Sequence, residues 1–320
     1  MPGLTILYDA PQEAAWFRRL HPDLADVPEL PISVGKNMSS VERVLGYDRP
    51  DIVLLDNDQP ILVVEETVEV PSGHNVGQRF ARIAAAAECS VPCFYFGPYA
   101  AQKHGGKTAG PRYMNVRLFH AINAMSLATN SAITTINWPV DANFEVRRDR
   151  EKDNDPRDYM LTFFQIYRKT GIRSINSELL RSDIHKRMVT ERDRFVREKI
   201  QGPEQYDSPP PSVEILSRET FCSRYHVASN RLAPIISEVV IYNVGMNYIR
   251  SDPYTGMAIL YKYLYLTGVE NRMLVLWFPN ISASEWRKTA GSGKRKDIRL
   301  FRVSADAILF SDGFSLKSEL

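Results

Sequence analysis

Residues 50–70 read PDIVLLDNDQPILVVEETVEV, and their pattern decides the fold. Two aliphatic runs, 51–56 and 61–70, flank Asn57-Asp58, residue types that accept the left-handed backbone of a tight turn. Pro60 stands at the entrance of the second run, where a missing N–H costs little. The runs therefore pair as a β-hairpin. A two- or three-residue loop puts Asp51 opposite Val64 or Glu65. Side chains alternate along a strand, so Glu65 shares a face with Val63 and Thr67, while Glu66 points the other way. Carboxylates of Asp51 and Glu65 brought to one end of an apolar layer repel unless a cation neutralises them. A hard divalent ion with oxygen ligands, Mg2+, suits that place. Two alternatives stand beside this reading. In one, the acids are solvated at a sheet edge, where charge discourages aggregation. In the other, Glu66 is the ligand and Val68, with no polar group, lies two residues beyond it.

Outward from the hairpin, Leu4 to Tyr8 predicts a strand and Gln12 to Leu20 a short helix. Ser39 to Leu45 predicts another helix, capped by Ser39 or Ser40. Asn75 to Glu88 is rich in Ala and Arg, with Phe80, Ile83 and Ala84 spaced for one buried face, and predicts a longer helix. Val91 to Phe96 returns to strand and ends at Gly97-Pro98. The order helix, strand, strand, helix, strand is that of an α/β core.

Pro50-Asp51 followed by Glu65-Glu66-Thr67 resembles the PD-(D/E)XK nuclease motif, and the order of elements over residues 36–98 resembles that family's core. The resemblance implies a mixed sheet flanked by helices, as in restriction endonucleases, with an additional helical and β region. It implies Mg2+ held by Asp51 and Glu65, joined by Glu42 from the preceding helix, and an activated water that attacks a phosphodiester. The sequence departs from the pattern at Thr67, where the family usually has Lys; a threonine hydroxyl can hydrogen-bond a water but carries no charge. Gln78 on the following helix is the nearest polar substitute, with Lys36, Lys103 and Lys107 further candidates. The implied activity is that of a type II restriction endonuclease cutting a specific sequence in double-stranded DNA, for which a homodimer is the economical symmetry. A structure- or modification-directed nuclease and an inactive DNA-binding module are the alternatives.

Candidate DNA contacts follow from charge and spacing. Arg79 and Arg82 lie three apart on one helix flank and can clamp a phosphate. Lys103 and Lys107 belong to a basic and aromatic loop after the third core strand. Arg287, Lys288, Lys294, Arg295 and Lys296 surround Gly291-Ser292-Gly293 next to Trp286, a basic loop suited to tracking a polyanion.

The texture changes near residue 140, giving an expected nuclease core over 1–140 and a recognition or dimerisation region over 141–320. Residues 145–157 (EVRRDREKDNDPR) read as a solvated connector, 158–200 as basic helices, and 201–212 as a Pro-rich linker. A second helical group is expected over 213–250. Strands are expected at 258–265, with Tyr261, Tyr263 and Tyr265 on one face, and at 273–278, 297–303 and 305–310, the last opening a hairpin.

Composition excludes other classes. With 44% hydrophobic and 24% charged residues the chain is neither disordered nor fibrous, and 320 residues suffice for about two domains. Forty Lys and Arg against 38 Asp and Glu leave a charge of +2, so polyanion binding must rest on local clusters. Three cysteines make no disulfide framework, and no Cys/His set has zinc-site spacing. No apolar run reaches the length of a membrane span, so a cytoplasmic protein without membrane contact is expected.

Overall fold

A computed structural model describes residues 3–71, 75–103, 110–245, 254–290 and 296–320. The chain divides into two units. Unit 1 comprises Met1–Ser72, Arg82–Val116 and Met125–Pro203; unit 2 comprises Gly73–Ala81, Arg117–Ala124 and Glu204–Leu320. The change of texture near residue 140 falls inside unit 1, because the two helices that follow it pack on the first sheet.

Unit 1 is built on β1 (Leu4–Tyr8), β2 (Glu29–Pro31), β3 (Ile52–Asp56), β4 (Gln59–Glu66), β5 (Cys93–Gly97) and β8 (Ile133–Asn137), in the order β2-β1-β3-β4-β5-β8. A separate ribbon pairs β6 (Ala100–Lys103) with β7 (Gly110–Tyr113). The sheet is mixed: β1, β3 and β4 run antiparallel in turn, while β4, β5 and β8 are parallel. Parallel neighbours need crossovers. Here α3 (Asn75–Glu88) and α4 (Val116–Thr129) provide them, after α1 (Pro11–Arg18) and α2 (Ser39–Val44). The long α5 (Asn154–Arg181) turns at Gly171, where φ is 62°, and α6 (Asp183–Lys199) returns along it. Buried Trp16 and Phe17 of α1 and Tyr159, Met160 and Phe163 of α5 cover one face of the sheet, against Ile52, Leu54, Val64, Phe94 and Phe96. Near-continuous aliphatic strands follow from burial on both faces.

The second sheet, in unit 2, consists of β9 (Val213–Ser217), β10 (Glu238–Asn243), β11 (Arg272–Phe278), β12 (Ala307–Phe310) and β13 (Gly313–Leu316), in the order β13-β12-β11-β10-β9. Its three central strands are parallel and both edges antiparallel. The helices are α7 (Arg218–Arg224), α8 (Tyr254–Leu266), α9 (Ala283–Ala290) and α10 (Lys296–Ser304). The molecule is thus α/β, with mixed sheets flanked by helices.

Several sequence expectations are corrected. The described part of 213–250 is not a helical group: β9 and β10 run through it on either side of the short α7, β10 carried by the β-branched Val239, Val240 and Ile241, while 246–250 lie outside the described residues. Residues 258–265 are helical, not a strand. The run AILYKYLYL is apolar on every side, so period alone cannot separate a buried helix from a strand. In α8 Tyr261 stacks on Tyr265 one turn later, with ring centroids 5.8 Å apart. Residues 297–303 also form helix, with buried Leu300, Phe301 and Ser304 on one side of α10. Neither Ser39 nor Ser40 caps α2: Met38 holds the N-cap, and Ser40 Oγ donates instead to the Asp58 carbonyl at 2.7 Å. The hairpin expected at 305–313 is β12–β13.

Candidate active site

The β3–β4 turn sets the site. Asn57 and Asp58 take φ of 47° and 64°, the left-handed pair that a two-residue hairpin loop requires. A bulge between Leu54 and Leu55 shifts the register by one, so Ile52 pairs with Val64. The next step beyond that rung brings Asp51 opposite Glu65. Of the two registers open in the sequence, the bulge selects this one.

Both side chains are buried, Asp51 4% exposed and Glu65 0%. They meet one guanidinium nitrogen, Arg82 Nη1, which lies 3.3 Å from Asp51 Oδ1 and 2.9 Å from Glu65 Oε1. Arg82 Nε lies 3.5 Å from Asp48 Oδ2. Burial by itself would lower the pKa of Arg82, but the Glu65, Asp51 and Asp48 carboxylates more than reverse this and raise it. Asp51 Oδ2 accepts the Glu66 backbone N–H at 2.5 Å, which locks the carboxylate to the end of β4.

The opposite face holds a second charged group. Burial, aided by Asp51, raises Glu13 from 4.5 to about 7; the Ala10 N–H that donates to it at 2.8 Å opposes the shift. Burial also raises Glu66 to about 7; the Lys152 ammonium opposes this, and Asp51, Glu13 and Asp153 reinforce it. Lys152 Nζ donates to Asp153 Oδ1 at 2.8 Å and lies 4.3 Å from the Trp138 ring centroid. Trp16, Phe96 and Trp138 stack in series, and Trp16 Nε1 donates to Asp153 at 2.8 Å. The 145–157 stretch is therefore not simply a solvated connector: Asp153 is buried and Lys152 nearly so.

These two carboxyls predict a pH dependence. Between pH 4.5 and about 7 the folded protein holds protons that the unfolded chain has released, so their contribution to stability falls as pH rises through about 7. Without divalent cations, Glu66→Gln is expected to melt at the wild-type temperature near pH 4.5 and above it beyond pH 7. Parallel wild-type and variant melting curves, followed by circular dichroism across that range, would contradict this.

Comparison with protein-family models, curated proteins and solved structures returns no match.

The other expected site residues are placed as follows. Thr67 is buried, its N–H donating to the Phe96 carbonyl at 2.9 Å and its hydroxyl turned into the Thr67–Glu69 bend. Glu42 is exposed on α2; the third carboxylate at Arg82 is Asp48. Gln78 and Arg79 lie on the first turns of α3, which belong to unit 2, and Arg82 begins its unit 1 portion. Lys103 is exposed at the end of β6. Arg287 and Lys288 are exposed on α9, whose Trp286 is buried beside Phe278, Phe301 and Phe310. Lys107, Lys294 and Arg295 lie outside the described residues, as does the side chain of Lys296. Among the described residues no three His, Cys, Asp or Glu side chains converge as a metal-ion cage, and no helix is long and apolar enough to cross a membrane. Sequence reasoning missed Asp48, Glu13, Lys152 and Asp153. Asp48 carried a local signal, its place three residues before Asp51 in YDRPD; the others are joined only through folding.

Proposed function

We propose that this chain is an intracellular Mg2+-dependent endonuclease with a PD-(D/E)XK-type core, cutting double-stranded DNA at a specific sequence as a type II restriction enzyme does. The observation that supports it most is the convergence of Asp51 and Glu65 on a single cationic nitrogen, at 3.3 and 2.9 Å, at the end of the hairpin. Two hard carboxylates suit Mg2+, which keeps several waters and is commonly held by one or two carboxylates with substrate phosphate. Asp51 and Glu65 would hold the ion. When bound, it would supply Lewis-acid stabilisation of phosphate charge and a more acidic water.

The protein's own groups have distinct tasks. Arg82, anchored through Nε by Asp48, neutralises the carboxylate pair and is the guanidinium assigned to a phosphate oxygen. Thr67 has its hydroxyl committed to a bend and is assigned no proton-transfer role. Exposed basic side chains, Lys103 in unit 1 and Arg287 and Lys288 in unit 2, are assigned to the DNA backbone.

Incubation of unmodified plasmid and phage DNA with the protein, in Mg2+ or in EDTA, tests the reading. Discrete Mg2+-dependent bands are expected, and a Mg2+-dependent smear would replace sequence specificity by structure or modification sensing. Intact DNA with retained binding would favour an inactive module, a reading that the engaged Thr67 hydroxyl and the Arg82 ion pairs also support. Light scattering is expected to give the mass of a homodimer on DNA; a monomer with and without DNA would remove that part of the proposal.

A further inference from the structure

Past Thr67 the chain leaves β4 and borders a cleft of about 440 Å3 in unit 1. Val68 and Val70 form one wall, β6 and β7 a second, and the segment around Val146 the third. The third wall is tied to the ribbon, because Gln102 N donates to the Phe144 carbonyl at 2.7 Å, and Val146 bridges to Val140. The ribbon and the third wall are thus held by backbone pairing, and the cleft's volume suits a small organic ligand.

Its lining restricts the chemistry of that ligand. Val68, 47% exposed, with Val70, Ala101 and Val146 offers an aliphatic surface for a flat apolar body. Lys103, Arg112 and Arg148 are donors only and match an anion; Glu69 and Glu145 are acceptors only, and the Gln102 amide is both. Among the described lining residues three cations stand against two carboxylates, an excess of positive charge, with Arg112 and Glu145 each already engaged in an interaction. A purely anionic metabolite has no use for the carboxylates, and a purely apolar one none for the cations. A nucleotide has a planar ring with donors and acceptors on its edge and a phosphate at one end, and uses all three kinds of group.

We propose that this cleft is a nucleotide pocket, with the base against the valines and the phosphate at the Lys103, Arg112 and Arg148 rim. Resting on the nuclease reading, the occupant is a nucleotide turned out of DNA beside the cut, because the wall at Val68 continues directly from the strand that carries Glu65. Extrusion of a base lets an enzyme read its edge by hydrogen bonds in a shaped pocket.

The test uses the full-length wild-type protein in EDTA, so that hydrolysis plays no part. In one arm the four deoxynucleoside monophosphates are titrated by calorimetry. Saturable binding of at least one is expected, weakened by about tenfold or more in Arg148→Ala and in Val68→Trp, which fills the cleft from an exposed position. In the other arm, duplexes carrying 2-aminopurine are mixed with each protein, and a fluorescence rise is expected with wild type and not with Val68→Trp. Melting curves confirm that both variants fold. Monophosphate binding without the fluorescence rise supports the pocket with a free nucleotide as its occupant. Absence of both signals, or signals unchanged in both folded variants, overturns the proposal. Failure of Mg2+-dependent cutting with cleft binding intact would remove the nuclease reading and leave the pocket standing.

Discussion

Glu65→Gln is expected to lower Mg2+-dependent cleavage by at least about 100-fold while leaving the fold in place. Gln has the shape of Glu, and its amide oxygen can still accept from Arg82 Nη1, which lies 2.9 Å from Glu65 Oε1. What it loses is charge. Three carboxylates facing one guanidinium become two, a change that relieves repulsion in the absence of metal. Melting temperature in EDTA should therefore be maintained or raised, whereas stabilisation by added Mg2+ should shrink. Arg82→Met makes the opposite change: it removes the guanidinium and leaves the carboxylates, and a loss of about 3–5 kcal/mol is expected in chemical denaturation. Undiminished cleavage by folded Glu65→Gln would show that the carboxylate does not hold the ion.

The second large effect lies in unit 2 and concerns stability. Gly77 of α3 and Gly256 of α8 touch backbone to backbone. A Cβ on Gly256 would fall far inside van der Waals contact of the Gly77 carbonyl oxygen, and one on Gly77 would strike the Met257 nitrogen. The obstacle is main chain on both sides, so no rotamer change relieves it. The helices would have to separate, disturbing the packing of Phe80 on Tyr263, whose rings are 5.8 Å apart. Overpacking commonly costs about 1–3 kcal/mol, and a backbone clash belongs at the upper end or beyond. Gly256→Ala is expected to cost at least about 3 kcal/mol in urea denaturation. A substitution within about 0.5 kcal/mol of wild type would mean that the helices tolerate a wider spacing.

The hairpin was legible because its signals are local. Asn57-Asp58 names its own turn, Pro60 marks a strand entrance, and alternation places Glu65 and Glu66 on opposite faces. The same holds for α3, whose bounds of Asn75–Glu88 follow from its Ala-rich pattern. Where one pattern admits two structures, sequence reasoning chose wrongly. The tyrosines of 261–265 alternate like a strand, yet the segment is helix, with Tyr261 stacked on Tyr265 one turn later. The candidate site divides in the same way. Asp51 and Glu65 could be read as neighbours across a hairpin, but their partner Arg82 arrives from a crossover helix, seventeen residues past Glu65.

Neighbouring residues alone settle the turn chemistry, the strand alternation, the helix period and the placing of acids at one end of the hairpin. Which charges face those acids depends on packing between distant segments. Asp48 and Arg82 gather on one side of Asp51, and Glu13, Lys152 and Asp153 come to Glu66 on the other. Only folding could assign these partners, because burial removes the water that would otherwise solvate each charge, and a charge in a low-dielectric interior must be answered by whichever groups packing brings within reach.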